Sequence, residues 1–261
     1  MIYVGASGYS YDDWVGPFYP EGLDKSRFLE YYAGRFSAVE VNYTYYRMPT
    51  AQTLAAMSRK TGADFRFTVK ATGELTHQRT DDPALFAQFR AALQPLVDDG
   101  KLGCVLAQFP FSFRPSEETR EYLVWFREHL SDVPVVVEFR NADWVSRGTI
   151  QDLRDLGLGF CCVDEPALEG LMPPVAGATS PVGYIRFHGR NAAKWFEHEQ
   201  AWERYNYLYS DDEMREWLDR TAKIAAQTEH TYVFFNNHYN AQAVQNAGRF
   251  VELLQEADLA G

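Results

Sequence analysis

Two spacings of apolar residues alternate along the chain. Short runs rich in β-branched and aromatic residues cover 2–6, 38–42, 65–70, 103–108, 133–139, 159–163, 183–187 and 231–236, and each predicts a strand. Between them, helical spacing covers 25–36, 51–61, 83–99, 116–130, 147–156, 211–227 and 240–257. Thr50, Ser116 and Ser210 stand where N-caps are expected, and acidic residues open the helical turns after Ser116 and Ser210. The connection 165–181, with Pro166, Pro173, Pro174 and Gly177, reads as irregular. Strand–helix alternation implies parallel strands joined by crossover helices, and eight repeats of it predict an α/β (β/α)₈ TIM-type barrel. The prediction treats 1–261 as one domain. An open doubly wound sheet is disfavoured, because Gly5-Ala6-Ser7-Gly8 lacks the G-x-G-x-x-G spacing and no Walker A motif occurs.

Side chains alternate faces along a strand, so parity sorts the polar residues. Glu40 pairs in phase with Asn42, Thr68 with Lys70, Glu138 with Arg140, and Tyr184 with Arg186 and His188. Gln108, Asp164 and Asn236 close the fourth, sixth and eighth runs. All lie at C-terminal strand ends, where barrels of this type carry active sites. The expected interior charges cancel, with Glu40, Glu138 and Asp164 against Lys70, Arg140 and Arg186. Singly, each reads equally well as part of a structural ion pair. Together they favour a site, since buried charges are costly and apolar filling serves stability at least as well. Trp14, Tyr43 and Tyr46 are expected to shape the mouth. Cys104 and Cys162 share the inward parity and read as packing residues.

Composition narrows the classes. Apolar residues make up 46 % of 261, ordinary for a globular protein, and the formal net charge is −11. The acid surplus makes extended nucleic acid an improbable partner and leaves room for a local basic pocket. No apolar run has the length of a membrane span, and the first residues lack the pattern of a signal peptide. Three cysteines, two of them adjacent and all in apolar runs, predict buried thiols and a cytoplasmic protein. Oligomeric state is not written in the sequence.

Three chemistries fit these residues. The first is metal-independent acid–base chemistry, with no cofactor, on a small polar ligand, carboxylate or phosphate. Lys70, Arg140, Arg186 and Arg190 would clamp the anion, Glu138 or Glu40 would act as base, and His188 would shuttle a proton. Gly189 would let backbone approach the ligand. Lys70, beside carboxylates, is expected to stay protonated, which argues against a Schiff-base role. The second is a divalent-metal phosphodiesterase or sugar-isomerase-like site using Glu40, Glu138, Asp164 and His188, although no H-x-H or H-E-x-x-H spacing supports it. The third is a non-catalytic module that binds a nucleotide, sugar or nucleic-acid end. The commonest barrel arrangement for retaining glycosidases is absent, because Gln108 and His188 occupy the ends where its two carboxylates would stand.

A set of motifs in fixed order adds to this reading. Gly5-Ala6-Ser7-Gly8-Tyr9, Trp14-Val15-Gly16-Pro17-Phe18-Tyr19-Pro20 and Glu40-Val41-Asn42-Tyr43-Thr44-Tyr45-Tyr46-Arg47-Met48-Pro49 open it. Phe67-Thr68-Val69-Lys70-Ala71, Thr76-His77, Gln108-Phe109-Pro110, Glu138-Phe139-Arg140, Arg186-Phe187-His188-Gly189-Arg190 and Phe235-Asn236-Asn237 complete it. Across essentially the whole chain these resemble the YecE-like family, the domain of unknown function 72. The resemblance implies a TIM-barrel-like domain with a pocket and assigns no reaction. Tyr9 and Tyr45 stand where the family pattern carries other aromatics.

Overall fold

The protein is described by a computed structural model covering residues 1–259; the last two residues of the 1–261 span lie outside the described residues. Eight parallel strands run β1 (Ile2–Ala6), β2 (Ala38–Val41), β3 (Arg66–Lys70), β4 (Leu102–Gln108), β5 (Val135–Glu138), β6 (Gly159–Asp164), β7 (Val182–Phe187) and β8 (His230–Phe235). Their order around the sheet is β1-β8-β7-β6-β5-β4-β3-β2. Helices α1 (Phe28–Ala33), α2 (Ala51–Arg59), α3 (Pro83–Asp98), α4 (Glu117–His129), α5 (Arg147–Asp155), α6 (Asp211–Arg215), α7 (Leu218–Ala225) and α8 (Gln242–Glu256) surround it. This is the predicted (β/α)₈ barrel. Among the described residues, no helix is long and apolar enough to cross a membrane.

The β1–β2 seam closes by a different device from the other strand pairs. Ser7 bridges Glu40, and Gly8 N–H donates to the Glu40 carbonyl at 2.9 Å. Below that point the Tyr32 hydroxyl, carried by α1, accepts from Ala6 N–H at 2.7 Å and donates to the Ala38 carbonyl at 3.0 Å. It thus satisfies backbone groups that have no strand partner there. A Cβ on Gly5 would lie 2.1 Å from the Ala38 carbonyl oxygen, so only glycine fits this approach.

Several helix limits differ from the expected ones. The segment 211–227 breaks into α6 and α7 around Trp217, whose side chain is buried and bonds to Asp164. The predicted start at 25 is a 3-10 turn, Lys25–Arg27, before α1. At the other end of the chain α8 begins late, because Asn240 and Ala241 take left-handed conformations. Ser116 and Ser210 form capping boxes, and Thr50 caps α2. Residues 165–181 carry no helix, as expected.

One parity expectation is overturned. Strand β6 turns Cys161, not Cys162, toward the lumen charges, while the Cys162 sulfur accepts from Gly177 N–H in the following loop. In that phase Glu165 points inward and Asp164 outward.

Candidate active site

The lumen fills from the bottom with rings and then with charge. Tyr232 stacks on Tyr3 beneath Gly103, where a Cβ would sit 2.6 Å from the tyrosine ring. Above it Thr68 donates to the Tyr184 hydroxyl at 2.9 Å, and Tyr184 donates to Glu40 Oε2 at 2.7 Å. Arg186 lies across the next level, with Nη2 2.6 Å from Glu40 Oε1 and Nη1 2.6 Å from Glu138 Oε2. All of these side chains are buried.

Glu138 collects three cationic or donor groups. Its Oε1 lies 3.0 Å from His188 Nε2 and 2.7 Å from Arg140 Nε. Burial alone would raise its pKa, but Arg140, Arg186 and His188 outweigh that and hold it well below the usual carboxylate range. His188 is driven the other way, by burial and by Arg140, and stays neutral. Asn236 Nδ2 stands 3.1 Å from His188 Nδ1, which as acceptor leaves Nε2–H to donate to Glu138. Both ring nitrogens are therefore engaged. Glu40 and Glu138 serve the ion network, and His188 orients it.

Lys70 stands apart from this network. Its Nζ donates to Gln108 Oε1 at 2.8 Å, and Gln108 is fixed by donating Nε2–H to its neighbour's carbonyl, Phe109 O. Among the described residues, no carboxylate lies within ion-pair distance of it, because Glu40 and Glu138 are already bound to Arg186, Tyr184, His188 and Arg140. Burial, reinforced by Arg186, pushes the ammonium down to about 7. Glu138 and Glu40 still favour its charge, but burial and Arg186 outweigh them, so the expected full protonation of Lys70 gives way to a mixture of ammonium and amine near neutral pH. The Tyr45 ring centroid is 4.7 Å from Nζ.

Above this level lies open space. An inner cavity of about 230 Å³ is lined by Asn42, Lys70, Gln108, Arg140, Arg186 and Asn236, with Tyr11, Tyr45, Tyr46, Tyr205 and His238 around them. An outer cavity of about 480 Å³ shares Tyr45, Tyr46, Lys70, Gln108, Arg140 and Tyr205, and adds His77, Trp195, Phe196 and Arg204. Arg140 is 12 % exposed, and its Nη1 reaches Glu165 Oε2 at 3.4 Å. Burial pushes Glu165 up to about 7 against the pull of Arg140. His77 falls to about 4, through burial and then Lys70, and so adds no charge to the cavity wall. Asn42 Oδ1 is buried without a hydrogen-bond partner.

The structure brings together most of the predicted residues and separates five. Asp164 lies outside the lumen, accepting from Arg190 at 2.7 and 2.9 Å, Tyr209 at 2.7 Å and Trp217 at 2.7 Å. Arg190 leaves the clamp with it, pairing also with Glu216. Trp14 is fully buried and donates to the His238 carbonyl at 2.7 Å, holding a mouth loop without lining the mouth. Tyr43 faces a neighbouring groove with Gly8, Tyr9 and Tyr46, while Tyr46 itself is 86 % exposed at the rim. Gly189 serves packing, not ligand approach: a Cβ there would lie 2.9 Å from Tyr207, and its N–H donates to Tyr209. Glu165 was not anticipated as a site residue. The signal for it was the acidic pair 164–165 at a strand end, with the phase taken one residue early. Among the described residues, no three His, Cys, Asp or Glu side chains converge as a metal-ligand set.

Comparison with known proteins places this geometry in a lineage. A model of the protein of unknown function DUF72 matches residues 3–260. The UPF0759 protein YunF of Bacillus subtilis is 32 % identical over 270 residues, covering 97 % of this chain and 95 % of that protein. The crystal structure of a DUF72 family protein from Thermotoga maritima superposes with a TM-score of 0.90 at 42 % identity, covering 98 % and 99 % of the two chains. Another from Enterococcus faecalis gives a TM-score of 0.87 at 26 % identity, covering 98 % and 96 %. With its barrel, its motif order and its full-length matches in agreement, the chain belongs to the DUF72 family.

Proposed function

We propose that the protein is an enzyme that binds a small anion, carboxylate or phosphate, in the mouth cavity and moves a proton through the Lys70 amine without a metal. The observation that carries this reading is the position of Lys70: open to the cavity, hydrogen-bonded to a neutral amide, and deprived of a carboxylate partner. A general base works best with a pKa near the operating pH, and Lys70 at about 7 meets that condition where Glu138 does not. Arg140 supplies the fixed charge. It borders both cavities, and its planar fork suits a carboxylate or phosphate.

Binding of an anion beside Lys70 favours the ammonium form, so it takes up a proton. At about pH 8, calorimetry with inorganic phosphate or acetate in buffers of different ionisation enthalpy is expected to show uptake approaching about one proton per anion. Arg140→Gln is expected to weaken that binding roughly tenfold or more. Binding with no proton exchange would remove Lys70 from the chemistry, and no binding of either anion would remove the clamp.

A further inference from the structure

We propose that Lys70 is a nucleophile that forms a Schiff base with a small 2-oxo acid whose carboxylate pairs with Arg140. This rests on the anion-pocket reading above and gives the substrate class a carbonyl next to its acid group.

The geometry of the amine carries the argument. Gln108 is held by its own bond to the Phe109 carbonyl, so it presents Oε1, an acceptor, to Lys70. One N–H of the amine is directed there, and the amide offers nothing to engage the lone pair. Burial and the nearby arginines lower the ammonium far enough that, even where a bound anion favours it, a share of the amine is neutral with that lone pair available. Arg140 approaches Glu138 through Nε and Glu165 through Nη1, and among the described residues Nη2 donates no hydrogen bond to the protein. Lys70 and Arg140 line the same inner cavity, whose volume of about 230 Å³ takes a molecule of a few carbons. An anion-binding cation and an amine free of any carboxylate partner over one small space match the two ends of a 2-oxo acid.

The step balances without a further reactant. The Nζ lone pair adds to the carbonyl carbon, forming a C–N bond, while the π pair of the C=O bond moves to oxygen. A proton transferred from nitrogen gives the neutral carbinolamine. Loss of the hydroxyl with the second amine hydrogen releases one water and leaves C=N. Nothing is oxidised or reduced.

The test uses the intact chain with pyruvate and sodium cyanoborohydride, which reduces the imine to a stable secondary amine, followed by peptide mapping by mass spectrometry. Binding of lactate, which has the carboxylate and no carbonyl, is measured alongside by calorimetry. The expected result is a reduced adduct concentrated on Lys70 over Lys25, Lys60, Lys101, Lys194 and Lys223, and suppressed by lactate. In Arg140→Gln the pyruvate concentration for half-maximal labelling should rise roughly tenfold or more. The wild-type map carries the readout even where a variant folds poorly. Lactate binding without an adduct on Lys70, or labelling spread evenly over the lysines, would overturn the nucleophile and leave the anion pocket standing. Failure of both pyruvate and lactate to bind would overturn the pocket reading itself.

Discussion

At the scale of single residues, neighbours decide more than residue type does. Lys70 and Arg186 enter the same lumen from strands β3 and β7, yet burial acts on them in opposite company. Arg186 is held between two carboxylates, whereas Lys70 is left with an amide. The contrast has a pH signature. Burial pushes Lys70 down to about 7 in the folded chain, against an ordinary value of about 10.4 when unfolded. Between those values the unfolded state binds more protons, so this residue's contribution to stability rises with pH across that window. Below it, the cost of holding the ammonium in the barrel is felt in full. Lys70→Met removes that cost, so denaturant melts should show the variant gaining most over wild type below about pH 7 and the gain shrinking toward about pH 10. A pH-independent difference would mean that Lys70 is solvated like a surface lysine. Strand parity in the sequence placed Glu40, Lys70, Glu138, Arg140 and Arg186 in one lumen. What it did not contain was the allocation of partners, because that depends on which strands stand across the barrel from one another.

At the scale of elements, the β6–α7 contact shows where a one-residue phase matters. A strand period of two means that choosing Asp164 as inward sends Glu165 outward, and the structure has the reverse. Asp164 is instead the polar centre of the outer layer, binding β7's following loop through Arg190 and α7's leading residue Trp217. Trp217 makes that bond from the break between α6 and α7. Asp164→Asn leaves Arg190 and the Trp217 and Tyr209 donors facing a neutral amide, and is expected to destabilise the fold by about 3 kcal/mol, as for a broken buried ion pair. Anion affinity at the mouth should be unchanged. A variant that kept its stability and lost anion binding would return Asp164 and Arg190 to the site. No sequence pattern distinguished these roles: the two acids are adjacent at the end of β6, and only the phase of that strand separates them.

At the scale of the whole molecule, the barrel was legible because eight short runs and their spacing leave few arrangements of parallel strands. Its β1–β2 seam was less so, depending on a tyrosine hydroxyl from α1 and a glycine with no room for a side chain. The closed barrel converts six separate strand ends into one column. Its lower levels satisfy their charges internally, and its top level does not. This column leaves one lysine at the cavity floor, Lys70, whose ammonium gives up its proton near neutral pH. The direct measurement is an NMR titration of the lysine side chains, with Lys70 assigned by Lys70→Arg. The signal assigned to Lys70 is expected to titrate at about 7. A Lys70 that titrates near the ordinary lysine value of about 10.4 would contradict that.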